Sequence, residues 1–224
     1  MSAVFSALLF REWRARPGPS LLAWGVALAM FAAASLAAAV GLLGGWTAGW
    51  FRVYYLFGAI LNVPVLGLGT VFLYGSRRLG RACTAVVVIA SVGAAAAVLG
   101  ADLNEPGLAT GGIPRGAQVV PDGIRLLSRI YSLAGSVVVV GGALWSAIRL
   151  FRGRRRDLRD LAVANLLIAG GTFVVALGSG FAFRGRGLPF AVGLLAGVCL
   201  MFWGFWKTRV RAPARPHPRL VGGP

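Results

Sequence analysis

The chain has 224 residues, of which 58% are hydrophobic and 13% charged, and its mean hydropathy is +0.78. That leaves too little polar surface to solvate a water-soluble globular domain, so this class is excluded. The charge is also one-sided: 23 Lys and Arg stand against 6 Asp and Glu, for a net of +17, and every cation except Lys207 is arginine.

An ionised side chain at the centre of a bilayer costs roughly 2.5–3.5 kcal/mol on insertion scales, whereas about 20 apolar residues cross the hydrocarbon as one helix. The gaps between charges therefore measure the spans. In chain order, 35 uncharged residues separate Arg16 from Arg52, 24 separate Arg52 from Arg77, and 20 separate Arg81 from Asp102. Then come 19 between Arg129 and Arg149, 23 between Asp160 and Arg184, and 20 between Arg186 and Lys207. Each gap suits one crossing. The expectation is an all-α polytopic transmembrane bundle of six helices over about 20–43, 53–75, 82–101, 130–149, 161–182 and 187–206. A segment 1–18 precedes the domain 19–207, and a Pro/Arg-rich tail 208–224 follows it.

Ahead of the first span, Val4, Phe5, Leu8, Leu9 and Trp13 share helical spacing, which suits a helix on the membrane surface as well as a frayed end. The basic run before the first span resembles a signal peptide, but the apolar stretch behind it is too long for one. Gly41 and Gly45 form a GxxxG near the end of that span. In the second span Pro64 lacks a backbone donor and should kink the helix and free carbonyls one turn earlier. Asn62 stands two residues before it, and a carboxamide in hydrocarbon needs a partner: a freed carbonyl, another helix or a substrate. Asp102 closes the third span at a depth close to Arg52 and Arg129, as an interfacial ion pair or a ligand contact.

Residues 104–128 carry Glu105-Pro106-Gly107, Gly111-Gly112-Ile113-Pro114 and Pro121-Asp122-Gly123, which read as an extramembrane loop. Beyond it, Gly141-Gly142, Gly170-Gly171 and the pair Gly193 and Gly197 offer small faces for close helix packing on spans four, five and six. Asn165 is a second amide inside a span, about one turn from the charges at its end. A cavity shared by Tyr54, Asn62, Ser136 and Thr172 would mark a polar path, and the aromatic cluster from Trp46 to Tyr55 stands at its outer end.

Orientation follows from the cations. Seventeen fall on the side of the termini and six on the other, with the acids split evenly, giving +14 and +3, so both termini are expected in the cytoplasm. Tryptophan agrees: Trp46 and Trp50 fall at the opposite interface, with Tyr54 and Tyr55 just beyond, and Trp24, Trp145, Trp203 and Trp206 fall near cytoplasmic ends. The basic run 149–159 lacks interleaved aromatics, so anionic lipid headgroups at the cytoplasmic face are its expected partners, and nucleic acid is not.

Catalytic chemistry is sparse. The single histidine, His217, lies in the tail, and no Asp or Glu falls inside a span, which disfavours enzymes and ion-coupled carriers. Cys83 and Cys199 lack metal-site spacing, and no cofactor or metal is expected. Arg52-Val53-Tyr54-Tyr55-Leu56-Phe57-Gly58-Ala59 aligns with Arg129-Ile130-Tyr131-Ser132-Leu133-Ala134-Gly135-Ser136 at four of eight positions, suggesting a parallel repeat of spans two and three in spans four and five.

The first of those octapeptides, with Leu66-Gly67-Leu68-Gly69-Thr70, is similar to uncharacterised six-span integral membrane proteins of high-GC bacteria. The resemblance covers spans two to four and implies fold and location only. The expected role is a non-enzymatic accessory or scaffold bundle in the plasma membrane, with a membrane-protein partner or a second copy of itself. A small permease or a lipid- or small-molecule-binding protein is the alternative.

Overall fold

The computed structural model describes residues 1–109, 111–152, 163, 166–167, 170–171, 173–175 and 187–210. Among these the regular structure is helical, with no strands. In chain order the helices are α1 (Ser2–Ala15), α2 (Pro19–Gly44), α3 (Ala48–Tyr54), a π-helical stretch (Tyr55–Leu61), α4 (Asn62–Tyr74) and α5 (Arg77–Leu99). A 3₁₀ turn (Glu105–Gly107), α6 (Gly116–Val119), α7 (Asp122–Arg152) and α8 (Gly187–Val210) follow. Four helical stretches are long and apolar enough to cross a bilayer: Pro19–Gly44, Ala48–Leu73, Arg77–Leu99 and Asp122–Trp145. They suit an integral membrane protein. The expected fifth span lies largely outside the described residues, and the sixth coincides with α8, whose apolar portion is Ala191–Gly204.

The first two spans join through a tight turn. α2 ends at Gly44, and Gly45 takes φ 90, a backbone conformation that glycine tolerates and other residues resist. Gly45 is therefore a helix terminator and not half of a packing motif. Thr47 then opens α3 as its N-cap, its hydroxyl accepting from the Trp50 amide at 3.3 Å. Gly41 does pack closely: a Cβ there would lie 2.5 Å from the indole of Trp46, which folds back over the end of α2.

α1 is docked and not frayed. Its Phe5 and Leu9 are buried with Leu28 of α2 and Met201 of α8, and the Ser6 hydroxyl donates to the Gly25 carbonyl at 2.8 Å. Phe5 meets Phe202 edge to face, with ring centroids 5.7 Å apart. Phe10 lies against Gly25, where a Cβ would approach its ring to 3.3 Å. Further along α2, the Trp24 indole donates to the Leu66 carbonyl of α4 at 3.2 Å, and Gly69 leaves room for that ring. Gly171 and Gly197 also meet: a Cβ on Gly197 would lie 2.6 Å from the Gly171 carbonyl, so this part of the expected small-residue packing is present.

The expectation of a loop through 104–128 is corrected at its end. α7 begins at Asp122, inside the turn-rich stretch, and the Pro121 carbonyl accepts from Ile124 and Arg125 at its start. Pro121-Asp122-Gly123 is thus a helix start: proline precedes the first turn, and Asp122 places a carboxylate where the helix dipole favours one. At 1.5 Å per residue the 31 residues of α7 extend about 46 Å, well beyond the hydrocarbon alone. What remains, 100–121, folds into a cap. Asn104 donates from its backbone to Val119 at 3.0 Å and from its side chain to the Gln118 carbonyl at 2.9 Å, pinching the segment shut. Leu108, Val119, Val120 and Ile124 are buried with Phe51, Tyr55, Ile60, Ala94 and Val98 in the principal core.

Candidate functional site

The residues singled out in the second span meet α7 beneath the cap. Pro64 has no N–H, so the carbonyls four and five residues earlier, Ile60 and Ala59, lose that donor. The backbone widens into the π-helix Tyr55–Leu61 immediately before the proline instead of breaking. Two α7 side chains take up the Ala59 carbonyl: the Ser132 hydroxyl donates at 2.9 Å and the Ser128 hydroxyl at 3.3 Å. Four residues apart, these serines lie on one face of α7. One turn further on, Gly135 brings the helices into backbone contact, since a Cβ there would lie 2.6 Å from the Val63 carbonyl carbon and 2.7 Å from the Pro64 nitrogen. In lipid, where no water can satisfy the carbonyl, this pairing is what makes the irregular backbone tolerable.

Tyr55 connects this seam to the cap. Its ring stacks on Phe51 with centroids 5.5 Å apart, and its tip reaches Gly116, where a Cβ would lie 2.9 Å from the ring. Ser128, Arg125 and Arg129 of α7 lie near its hydroxyl. Tyr54 points elsewhere, packing edge-on against Trp46 at 5.5 Å. The cations nearby are largely occupied by backbone and by one acid. Arg52 donates to the Ala101 carbonyl at 3.0 Å, just past the C-terminus of α5, where the helix dipole attracts a cation. Arg125 forms a salt bridge with Asp122 and donates to the Ala117 carbonyl at 3.3 Å.

Asp102 is exposed and makes no ion pair with Arg52 or Arg129 among the described residues. Arg52 donates instead to the Ala101 carbonyl at the α5 terminus, and Arg129 is exposed on α7. Asn62 is half-buried and makes no side-chain hydrogen bond among the described residues. The freed Ala59 carbonyl, one of the partners open to it, goes instead to the serines of α7. Ser136 is half-buried beside Gly135. Asn165 and Thr172 lie outside the described residues. Of the expected residues, Tyr55, Pro64 and Arg129 gather along the π-helix and α7, whereas Tyr54 and Asp102 lie apart from them.

A separate cleft of about 600 Å³ opens at the capped end between the 44–48 turn and the cap. Gly41, Trp46 and Thr47 line one side of it, and Glu105, Leu108 and Gly112 line the other. Its lining does not include Tyr54, Asn62 or Ser136. Among the described residues, no group of three His, Cys, Asp or Glu side chains gathers as a metal site would require. No protein-family model matches the chain, and neither a curated protein nor a solved structure matches it.

The residues that the sequence reading missed are Ser128, Ser132 and Tyr131, the last donating to the Ala90 carbonyl of α5 at 2.9 Å. A usable signal existed. Ser128, Ser132 and Gly135 recur at helical spacing, and a small, hydroxylated face of that kind is what a proline-interrupted helix needs opposite it. The two octapeptides of the suggested repeat also differ in backbone: one enters the π-helix and the other lies wholly within regular α-helix, so identical residues occupy unlike environments.

Proposed function

We propose that this chain is a non-enzymatic accessory or scaffold subunit of the plasma membrane, crossing it six times with both termini cytoplasmic and binding a membrane-protein partner or a second copy of itself. α5 carries this reading. Only 11% of its apolar window is buried within the chain, and Val86, Ile89 and Val92 are all exposed on it. Among the described residues, several polar groups of the neighbouring span and of α7 are engaged in closing the bundle. Ser128 and Ser132 serve the Ala59 carbonyl, Arg52 serves the end of α5, and Tyr131 ties α7 to α5. The permease alternative requires a polar cavity that reaches Asn62, and the cleft at the capped end does not.

Purification from native membranes in mild detergent, with the mass of the complex measured, tests this role. The expected species contains the chain with a second membrane protein, or with itself, in fixed stoichiometry. A solitary monomer with intrinsic turnover of a substrate would overturn it.

A further inference from the structure

The cleft at the capped end plays no part in closing the bundle, and it is built unlike the rest of the surface. Its volume, about 600 Å³, falls within the range of ligand sites. Trp46 supplies an aromatic wall, and this wall depends on Gly41, since a Cβ there would collide with the indole. The opposite wall holds Glu105, the one charged residue in the lining. Glu105 is exposed and forms no salt bridge among the described residues, although the chain carries 23 cations and only 6 acids. No cation among the described residues lines the cleft, and Arg52 and Arg125 are directed elsewhere, to the Ala101 carbonyl and to Asp122. The space at Gly45, Gly111 and Gly112 in the lining is open, since a Cβ at any of them would meet nothing within 4 Å.

An unpaired carboxylate and an indole lining the same open cleft select for positive charge. The carboxylate attracts it through space, and the ring quadrupole attracts it at the aromatic face. A metal cation would call for several charged or hard oxygen ligands, whereas the lining offers one carboxylate; an organic cation that can also contact an aromatic ring and apolar side chains matches better. We infer that this cleft binds an alkylammonium group, supplied either by the amine headgroup of a phospholipid or by a small soluble amine. The inference is independent of the scaffold role and stands or falls without it.

The test uses the full chain with two variants that should leave the fold intact. Glu105→Gln removes the charge at an exposed position, and Gly112→Trp fills open space. Wild type and variants are reconstituted in nanodiscs of phosphatidylglycerol alone or with phosphatidylethanolamine, and bound lipid is read by native mass spectrometry. In parallel, tetramethylammonium and ethanolamine are titrated in detergent at constant ionic strength by calorimetry. Selective retention of phosphatidylethanolamine identifies the lipid as the source, and saturable binding of the soluble amines identifies the free amine. Either result, weakened about tenfold or more in both variants, supports the site. Binding by wild type to neither source, or equal binding by wild type and both variants, overturns it.

Discussion

The span Ala48–Leu73 and the helix α5 are both strongly apolar, and α5 is the more so, yet 44% of the first is buried within the chain and only 11% of the second. Apolarity alone does not distinguish a helix that faces protein from one that faces lipid or a partner, because hydrocarbon supplies no drive to hide a leucine. What separates the two is the interruption of the first. Pro64, the π-helix before it and the backbone contacts at Gly67 and Gly135 all require a close neighbour, and α7 provides it with hydroxyls and a glycine. α5 is uninterrupted, and Gly93 in its middle meets nothing within 4 Å.

The largest effect that this contrast predicts comes from adding a side chain at a glycine. Gly135→Leu should cost about 3 kcal/mol by forcing the Val63–Pro64 backbone away, whereas Gly93→Leu should change stability by less than about 0.5 kcal/mol. Thermal unfolding in detergent compares the two directly, and equal losses would break the distinction between the spans.

Next in size is the carbonyl seam. Replacing both Ser128 and Ser132 with alanine should cost about 1–2 kcal/mol, because the Ala59 carbonyl loses both donors in a setting without water. Pro64→Ala, which restores an N–H to that backbone, should recover part of the loss in the double-alanine background. A double-mutant cycle reads this coupling, and strict additivity would show that proline and serines do not serve the same carbonyl.

Tyr131→Phe removes the hydrogen bond from α7 to α5 and should cost about 0.6 kcal/mol, in keeping with interhelical bonds in membranes. Ile89→Ala, on the uncovered face of α5, should leave the isolated chain within about 0.5 kcal/mol of wild type. A larger loss at Ile89 than at Tyr131 in the same melt would mean that α5 is more deeply held in the bundle than its exposure implies.

Much of the helical layout was legible from charge alone, since arginine marks where a chain leaves hydrocarbon. The boundaries were less so. α5 starts at Arg77 and not near residue 82, because arginines tolerated at the interface can occupy the first helical turn. Reading 104–128 as a loop hid the face of α7 that bears Ser128, so the donors that take up the freed carbonyl were not seen. The burial of Leu108, Val119 and Val120 in the cap was likewise concealed by the turn formers around them, which announce chain reversal and say nothing about what the reversed chain covers. Pro64 was correctly read as a disruption, but sequence could not show that it would be absorbed as a π-helix.

The scaffold role rests on α5 being a surface offered to another protein. Site-specific photocrosslinking in native membranes, with the probe placed in turn at Ile89 on the open face and at Ile60 in the core, tests that most directly. The account predicts one discrete adduct with a membrane protein, or with a second copy of this chain, from position 89 and no intermolecular adduct from position 60. Lipid adducts alone at position 89 would contradict it.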